Sequence, residues 1–101
     1  MNFIGMKNAG FEIIQAEVYN TYYEDDLDLR GGHDAVIKIE DGVALGYSET
    51  KEEWVTWQFS VRSNEDRPSF FWGHYYGWLA GNAARRDYHS RLLEKYEERS
   101  E

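Results

Sequence analysis

Hydrophobic and polar residues alternate along much of the first two thirds of the chain, as they do in β-strands with one buried face. The segment from 55 to 62 shows this best: one face carries Val55, Trp57, Phe59 and Val61, and the other Thr56, Gln58, Ser60 and Arg62. A less regular alternation runs from Phe11 to Tyr22. Both segments are predicted strands, with one face in the core and the other in water.

Two further apolar segments flank Asp41-Gly42, a dipeptide that favours hairpin turns. They run from Ala35 to Glu40 and from Val43 to Ser48. A three-residue turn, Glu40-Asp41-Gly42 with Gly42 in the left-handed conformation, pairs Ile39 with Val43 and gathers the apolar residues on one face. The pattern therefore predicts a β-hairpin centred on Asp41.

The segment from Ser69 to about Arg99 repeats small and large residues every three or four positions, which predicts one long helix. The small members of this stripe are the predicted helix-packing residues Gly73, Gly77, Gly81 and Ala84. They would let the helix backbone approach the sheet or a partner helix closely. Because aromatic residues favour strands, an alternative stays open in which Phe70 to Leu79 is a fifth strand and a shorter helix begins at Asn82.

These elements predict an α+β fold in a single domain over residues 1–101. About four antiparallel strands within 11–63 would form a meander, packed against a long C-terminal helix within 69–99. No repeat or linker interrupts the chain, and 101 residues suffice for one core.

The amino-acid composition excludes several kinds of functional site and indicates the kind of partner. The chain has no cysteine, which excludes disulfide scaffolds, thiolate zinc sites and cysteine nucleophiles and fits a reducing, cytoplasmic setting in a host cell. No targeting segment or membrane span is expected. The net charge of −8, all of it carried by residues 1–84, disfavours direct contact with nucleic acid or anionic membranes and favours a basic protein partner.

The acidic residues occur in clusters, and these are the predicted partner-binding positions, with Trp54 as an adjoining aromatic anchor. The set is Glu24, Asp25, Asp26, Asp28, Glu49, Glu52, Glu53, Trp54, Glu65 and Asp66. Two other interpretations stay open: an acidic surface also keeps small proteins in solution, and Trp54 could cover the edge of the sheet.

No catalytic or cofactor-binding motif is present, so we expect a protein that is not an enzyme and has neither metal nor cofactor. Asp26, Asp28, Gly31 and Asp34 match part of a calcium loop, but Ile37 stands where the bidentate glutamate belongs. The histidines, at 33, 74 and 89, are too far apart to ligate a metal from one helix turn. With no motif for catalysis, a metal or a cofactor, the sequence predicts a binding function.

Clusters such as Glu24-Asp25-Asp26-Leu27-Asp28 and Glu52-Glu53-Trp54, in a short acidic chain without cysteine, resemble the profile of the small phage and mobile-element inhibitors of host defence, the anti-CRISPR proteins in particular. The resemblance implies a stoichiometric inhibitor that either blocks the basic nucleic-acid groove of a CRISPR effector, by phosphate mimicry or by steric obstruction, or prevents a movement that the effector requires. A small interaction or homodimerisation module that uses the glycine-rich helix face is the alternative.

Overall fold

The structure, a computed structural model, describes residues 4–25 and 36–99. Its elements are β1 (Lys7–Asn8), β2 (Phe11–Asp25), β3 (Val36–Ser48), β4 (Glu53–Arg62), β5 (Ser69–Gly77), a 3-10 turn (Trp78–Ala80) and α1 (Gly81–Arg99). The strands form one antiparallel sheet in the order β1-β2-β3-β4-β5, and α1 packs across β2 to β5. The predicted α+β meander with a C-terminal helix is confirmed, although the described ranges hold five strands and not four.

β3 is one continuous strand, so the predicted hairpin at Asp41-Gly42 is wrong. Gly42 lies in mid-strand and pairs with Val18 of β2 and Phe59 of β4. Close packing explains the glycine: the Phe59 ring and the Glu17 carbonyl oxygen occupy the space that a Cβ would fill. Hydrogen bonding to strands on both sides outweighs the local turn preference of the dipeptide.

The C-terminal region follows the alternative interpretation, and the single helix predicted over 69–99 is wrong. Ser69–Gly77 forms β5 and pairs with β4, and α1 begins at Gly81. Gly73 and Gly77 therefore lie in a strand, and the glycine-rich helix face proposed for dimerisation does not exist. Aromatic side chains suit a pleated surface, while interior glycines disfavour a helix by about 1 kcal/mol each.

The second half of the predicted stripe does pack as expected. Ala84, Tyr88 and Leu92 follow one another at intervals of four residues and are buried, and they contact Val43 and Leu45 of β3. This contact anchors α1 on one face of the sheet. It also corrects the expectation that this face is wet, because the buried Thr56 lies on the same face.

The opposite face of the sheet curls over itself and holds the other apolar cluster. Its buried members are Phe11, Ile13, Ala44, Val55, Trp57, Phe59 and Val61. The ring centroids of Phe11 on β2 and Tyr75 on β5 lie 5.8 Å apart, and the Arg67 guanidinium donates to the Lys7 carbonyl at 2.8 Å. Since two strands separate β2 from β5 in the sheet, these contacts require strong curling toward this face.

Candidate functional site

The turn between β3 and β4, residues 49–52, presents part of the predicted partner-binding set. Glu49 and Glu52 are exposed in the turn, and the half-buried Glu53 begins β4. Two backbone amides hold the turn: that of Glu52 donates to the Glu49 carbonyl at 3.3 Å, and that of Lys51 donates to the Ser48 hydroxyl at 3.2 Å. The carboxylates are thus carried by a defined turn.

The lysine of this turn does not neutralise these carboxylates. Lys51 donates its ammonium to the Ala9 carbonyl at 2.8 Å, and its Nζ lies 5.0 Å from the centroid of the Phe11 ring. Among the described residues, Glu49, Glu52 and Glu53 form no ion pair. They remain available to cations supplied from outside the molecule.

A cleft of about 300 Å³ opens beside the same turn. The residues that line it include the acidic Glu12 and Glu49, the basic Lys7, and the apolar or aromatic Ile14 and Tyr47. An apolar stem that ends in a cation, as in lysine or arginine, suits such a mixed lining.

The other described members of the predicted partner-binding set, apart from Trp54, lie at the opposite end of the sheet. Glu24, at the end of β2, pairs with Arg62 of β4 at 3.3 Å. The connection between β4 and β5 carries the exposed Glu65 and Asp66, and the Glu65 amide donates to the Arg62 carbonyl at 3.0 Å. The topology therefore brings Glu24, Asp25, Glu65 and Asp66 to one end, with Arg62 between them.

Two of the predicted partner-binding positions, Asp26 and Asp28, lie outside the described residues. The calcium-loop interpretation, which uses both of them and Asp34, also falls there. Neither prediction is tested by the structure.

Trp54, the predicted aromatic anchor, is built into the junction between the sheet and α1. Its indole Nε1 donates to the Trp78 carbonyl at 2.9 Å, and its ring lies 4.5 Å from that of Tyr47 and 5.4 Å from the Arg85 guanidinium. A Cβ on Gly81 would come within 3.0 Å of the indole. Trp54 therefore has a structural role at the start of the helix, and its contact with a partner stays a prediction.

A polar cluster that sequence reasoning missed connects β4 and β5 to α1. The Asp87 carboxylate accepts a hydrogen bond from the Thr56 hydroxyl, and its Oδ2 lies 2.9 Å from His74 Nδ1 and 3.6 Å from Arg91 Nε. Burial by itself raises the pKa of Asp87. The hydrogen bonds from Thr56 and His74, with the charge of Arg91, outweigh burial and hold that pKa below its ordinary 3.8.

Arg91 extends this cluster to the backbone of β5. The side chain is buried; its Nη2 donates to the Trp72 carbonyl at 2.6 Å, while its Nη1 has no hydrogen-bond partner among the residues that the structure describes. Burial lowers the pKa of Arg91, and the nearby charge of Asp87 opposes this effect. The cluster thus fixes the irregular part of β5, where Trp72 adopts a φ of 52°.

A histidine held by a carboxylate is also the base and orienting group of many hydrolases. Here the hydroxyl that meets the pair belongs to Thr56, which is fully buried and donates to the same carboxylate as His74. Across residues 4–25 and 36–99, no group of three or more histidine, cysteine, aspartate or glutamate residues could hold a metal ion. We interpret the His74–Asp87 pair as a connection between the helix and β5.

The second feature that sequence reasoning missed is the exposure of β5 and the 3-10 turn that follows it. Large apolar side chains are exposed at Phe71, Trp72, Tyr75, Trp78 and Leu79. The signal was present in the run Ser-Phe-Phe-Trp-Gly-His-Tyr-Tyr-Gly, which contains no aspartate, glutamate, lysine or arginine. Because this run was predicted to be part of a helix, its formation of an edge strand with exposed apolar side chains was not predicted from the sequence.

Comparisons with protein-family models, with curated proteins and with solved structures return no match. In the part of the chain that the structure describes, no helix is both long and apolar enough to cross a membrane.

Proposed function

We propose that the protein is a non-enzymatic inhibitor of a nucleic-acid-binding host defence complex, acting in the host cytoplasm. It binds a basic groove of that complex through its acidic ends. The observation that carries the proposal is the turn at 49–52, where the exposed carboxylates of Glu49 and Glu52 form no ion pair with any described residue while Lys51 is engaged with Ala9. Clustered anionic charge of this kind accelerates association with a cationic surface.

The spacing of the two acidic ends supports mimicry of nucleic acid. β4 runs from Glu53, beside one end, to Arg62, beside the other, a length of about 30 Å at roughly 3.3 Å per residue. One turn of duplex DNA spans about 34 Å. A groove that contacts phosphates one helical turn apart could therefore meet both acidic ends, with the cleft at Glu49 taking up a lysine or arginine side chain.

The test is competitive capture from a lysate of the host, treated with nuclease to remove its own nucleic acid. Immobilised protein should retain a nucleic-acid-binding complex that added duplex DNA elutes, because the two ligands share one groove. The triple variant Glu49→Gln, Glu52→Gln, Glu53→Gln should retain less of it, by about tenfold or more, and binding should depend less steeply on salt.

The matched control carries the same change of charge in the last turns of α1, at Glu94, Glu97 and Glu98. It should bind almost as wild type does. Equal losses for the two triple variants would mean that only net charge matters. Retention of proteins that DNA does not elute would contradict the shared groove.

A further inference from the structure

We propose that β5 is a self-association edge, which pairs antiparallel with β5 of a second copy of this chain. β5 is the last strand of the sheet, so one side of its backbone has no neighbouring strand among the described residues. Ser69–Gly77 contains no aspartate, glutamate, lysine or arginine, in a chain of which these make up 30%. Unpaired edges of this kind are templates for strand pairing.

The other edge of the sheet is protected. β1 pairs only with Phe11 and Glu12, and the rest of β2 carries Glu17 and Glu24 and two register shifts against β3. Charges and irregular pairing are the devices by which proteins prevent edge association. β5 has one irregularity, around Trp72, and the segment His74–Gly77 beyond it pairs regularly with β4.

The side chains along β5 and the following turn are apolar and exposed. Trp72 is 67% and Leu79 83% exposed, and Phe71, Tyr75 and Trp78 are also exposed. Taking about 200 Å² for a side chain of this size, they present about 600 Å² over the two faces of β5 and the following turn, which is about three quarters of what one partner buries in a standard interface.

The distribution of charge favours a second copy of the chain, and not a basic protein, as the partner of the β5 edge. Ser69–Gly77 itself offers a basic partner no carboxylate, and on the neighbouring elements Asp87 already binds Thr56, His74 and Arg91. The free carboxylate of Glu53 lies at one end of the strand only, opposite Gly77. Two copies of this chain, each with a net charge of −8, repel one another except where both surfaces are uncharged. The β5 edges match in length, polarity and neutrality, as a twofold contact requires.

The register follows from the faces of the sheet. Tyr75 pairs with Val55, on the face opposite α1, while the neighbouring His74 contacts Asp87 of the helix. A twofold axis through Tyr75 sets this residue opposite its copy and His74 opposite Tyr76. This arrangement keeps equivalent faces together and places both helices on the same side of a ten-stranded sheet.

The experiment is a charge swap at the axis, read by sedimentation velocity over a concentration series. Wild type should reach twice its mass of 11.9 kDa. Tyr75→Lys and Tyr75→Glu should each associate at least about tenfold more weakly, because like charges then stand opposite one another. An equimolar mixture of the two variants should dimerise again, which a merely misfolded variant could not do.

Tyr23→Lys is the matched control, because Tyr23, which is 64% exposed against 55% for Tyr75, lies on the protected edge strand. This variant should dimerise as wild type does. Because the chain has no cysteine, Tyr75→Cys adds a second readout, an oxidative cross-link between copies. Monomeric wild type up to its solubility limit, persistent dimers of Tyr75→Lys, or a mixture that stays monomeric would each overturn the proposal. Hydrogen exchange with added poly-lysine tests the competing occupant. A monomeric wild type whose β5 amides exchange more slowly only when poly-lysine is added would overturn the proposal in favour of a basic partner.

Discussion

Replacing Gly42 with alanine tests the central correction to the fold, the continuity of β3. In the structure a Cβ at this position overlaps the Glu17 carbonyl oxygen and the Phe59 ring, well inside the 3.0 Å that real Cβ contacts respect. The oxygen belongs to a paired backbone and the ring to a fully buried side chain. Neither can move without disturbing β2 or the core.

The expected cost of Gly42→Ala is about 2 kcal/mol of the free energy of unfolding, within the range of about 1–3 kcal/mol for overpacked cores. For a domain of this size that loss lowers the melting temperature by about 10 °C. Gly77→Ala is the control, because nothing lies within 4 Å of a Cβ there and its φ of −61° suits alanine. This variant should match wild type or gain up to about 1 kcal/mol.

Urea denaturation of the two alanine variants measures the difference directly. A double-mutant cycle with Phe59→Leu then separates the clash with the ring from the clash with the carbonyl, and a coupling of about 1 kcal/mol is expected because the smaller side chain makes room for the Cβ. If Gly42→Ala proved as stable as Gly77→Ala, the close packing of β2, β3 and β4 at this position would be refuted.

Three further predictions concern the polar cluster, the core and the exposed edge. Asp87→Asn leaves the buried Arg91 without its counter-charge and should cost about 2–4 kcal/mol at pH 7 in urea denaturation. The pKa of Asp87 in the folded protein lies below 3.8, so the contribution of its carboxylate to the free energy of unfolding is complete above pH 3.8 and is lost as the pH falls through the folded pKa. The free energies of unfolding of wild type and Asp87→Asn should therefore converge in acid. A difference that stays constant with pH would contradict the lowered pKa. Burial, with the charge of Glu17, raises the pKa of Tyr88 from 10.0 to about 12. The neutral Tyr88 phenol therefore contributes fully to the free energy of unfolding below pH 10, and this contribution is lost as the pH rises toward 12. An absorbance titration of Tyr88→Phe should lack the last phenol to ionise. Trp72→Gly relieves a positive φ but removes the contact of the indole with the Phe71 ring, whose centroid lies 4.9 Å away. It should raise the free energy of unfolding by up to about 1 kcal/mol and yet weaken self-association; a lower melting temperature would mean that the contact with Phe71 outweighs the backbone strain.

The strands with regular alternation could be predicted, because burial on one face of a strand depends on a period that the sequence shows directly. Val55, Trp57, Phe59 and Val61 are all buried as expected. Thr56 is the informative exception: nothing in its own strand indicates that a helix will cover it. The face of the sheet that α1 covers is set by contacts between segments far apart in the sequence. A local pattern of hydrophobic and polar residues carries no information on such contacts.

The errors at Gly42 and at Gly73 have one cause, competition between local preference and strand pairing. A turn dipeptide and a four-residue repeat are both local signals, whereas pairing with β2, β4 or both adds a hydrogen-bonded neighbour along many residues. The polar cluster at Asp87 escaped prediction for a related reason. Thr56, His74 and Arg91 meet it only after β4, β5 and α1 have packed together.

The two proposed surfaces should respond to salt in opposite directions, because one charge distribution acts differently on each. Added salt screens the attraction between the acidic ends and a cationic groove, so capture of the host complex should weaken. The same salt screens repulsion between two copies of charge −8, while the uncharged β5 edges lose no attraction, so self-association should strengthen. Sedimentation and capture at the same series of ionic strengths test this directly, and a change of both in one direction would show that the two surfaces are not independent.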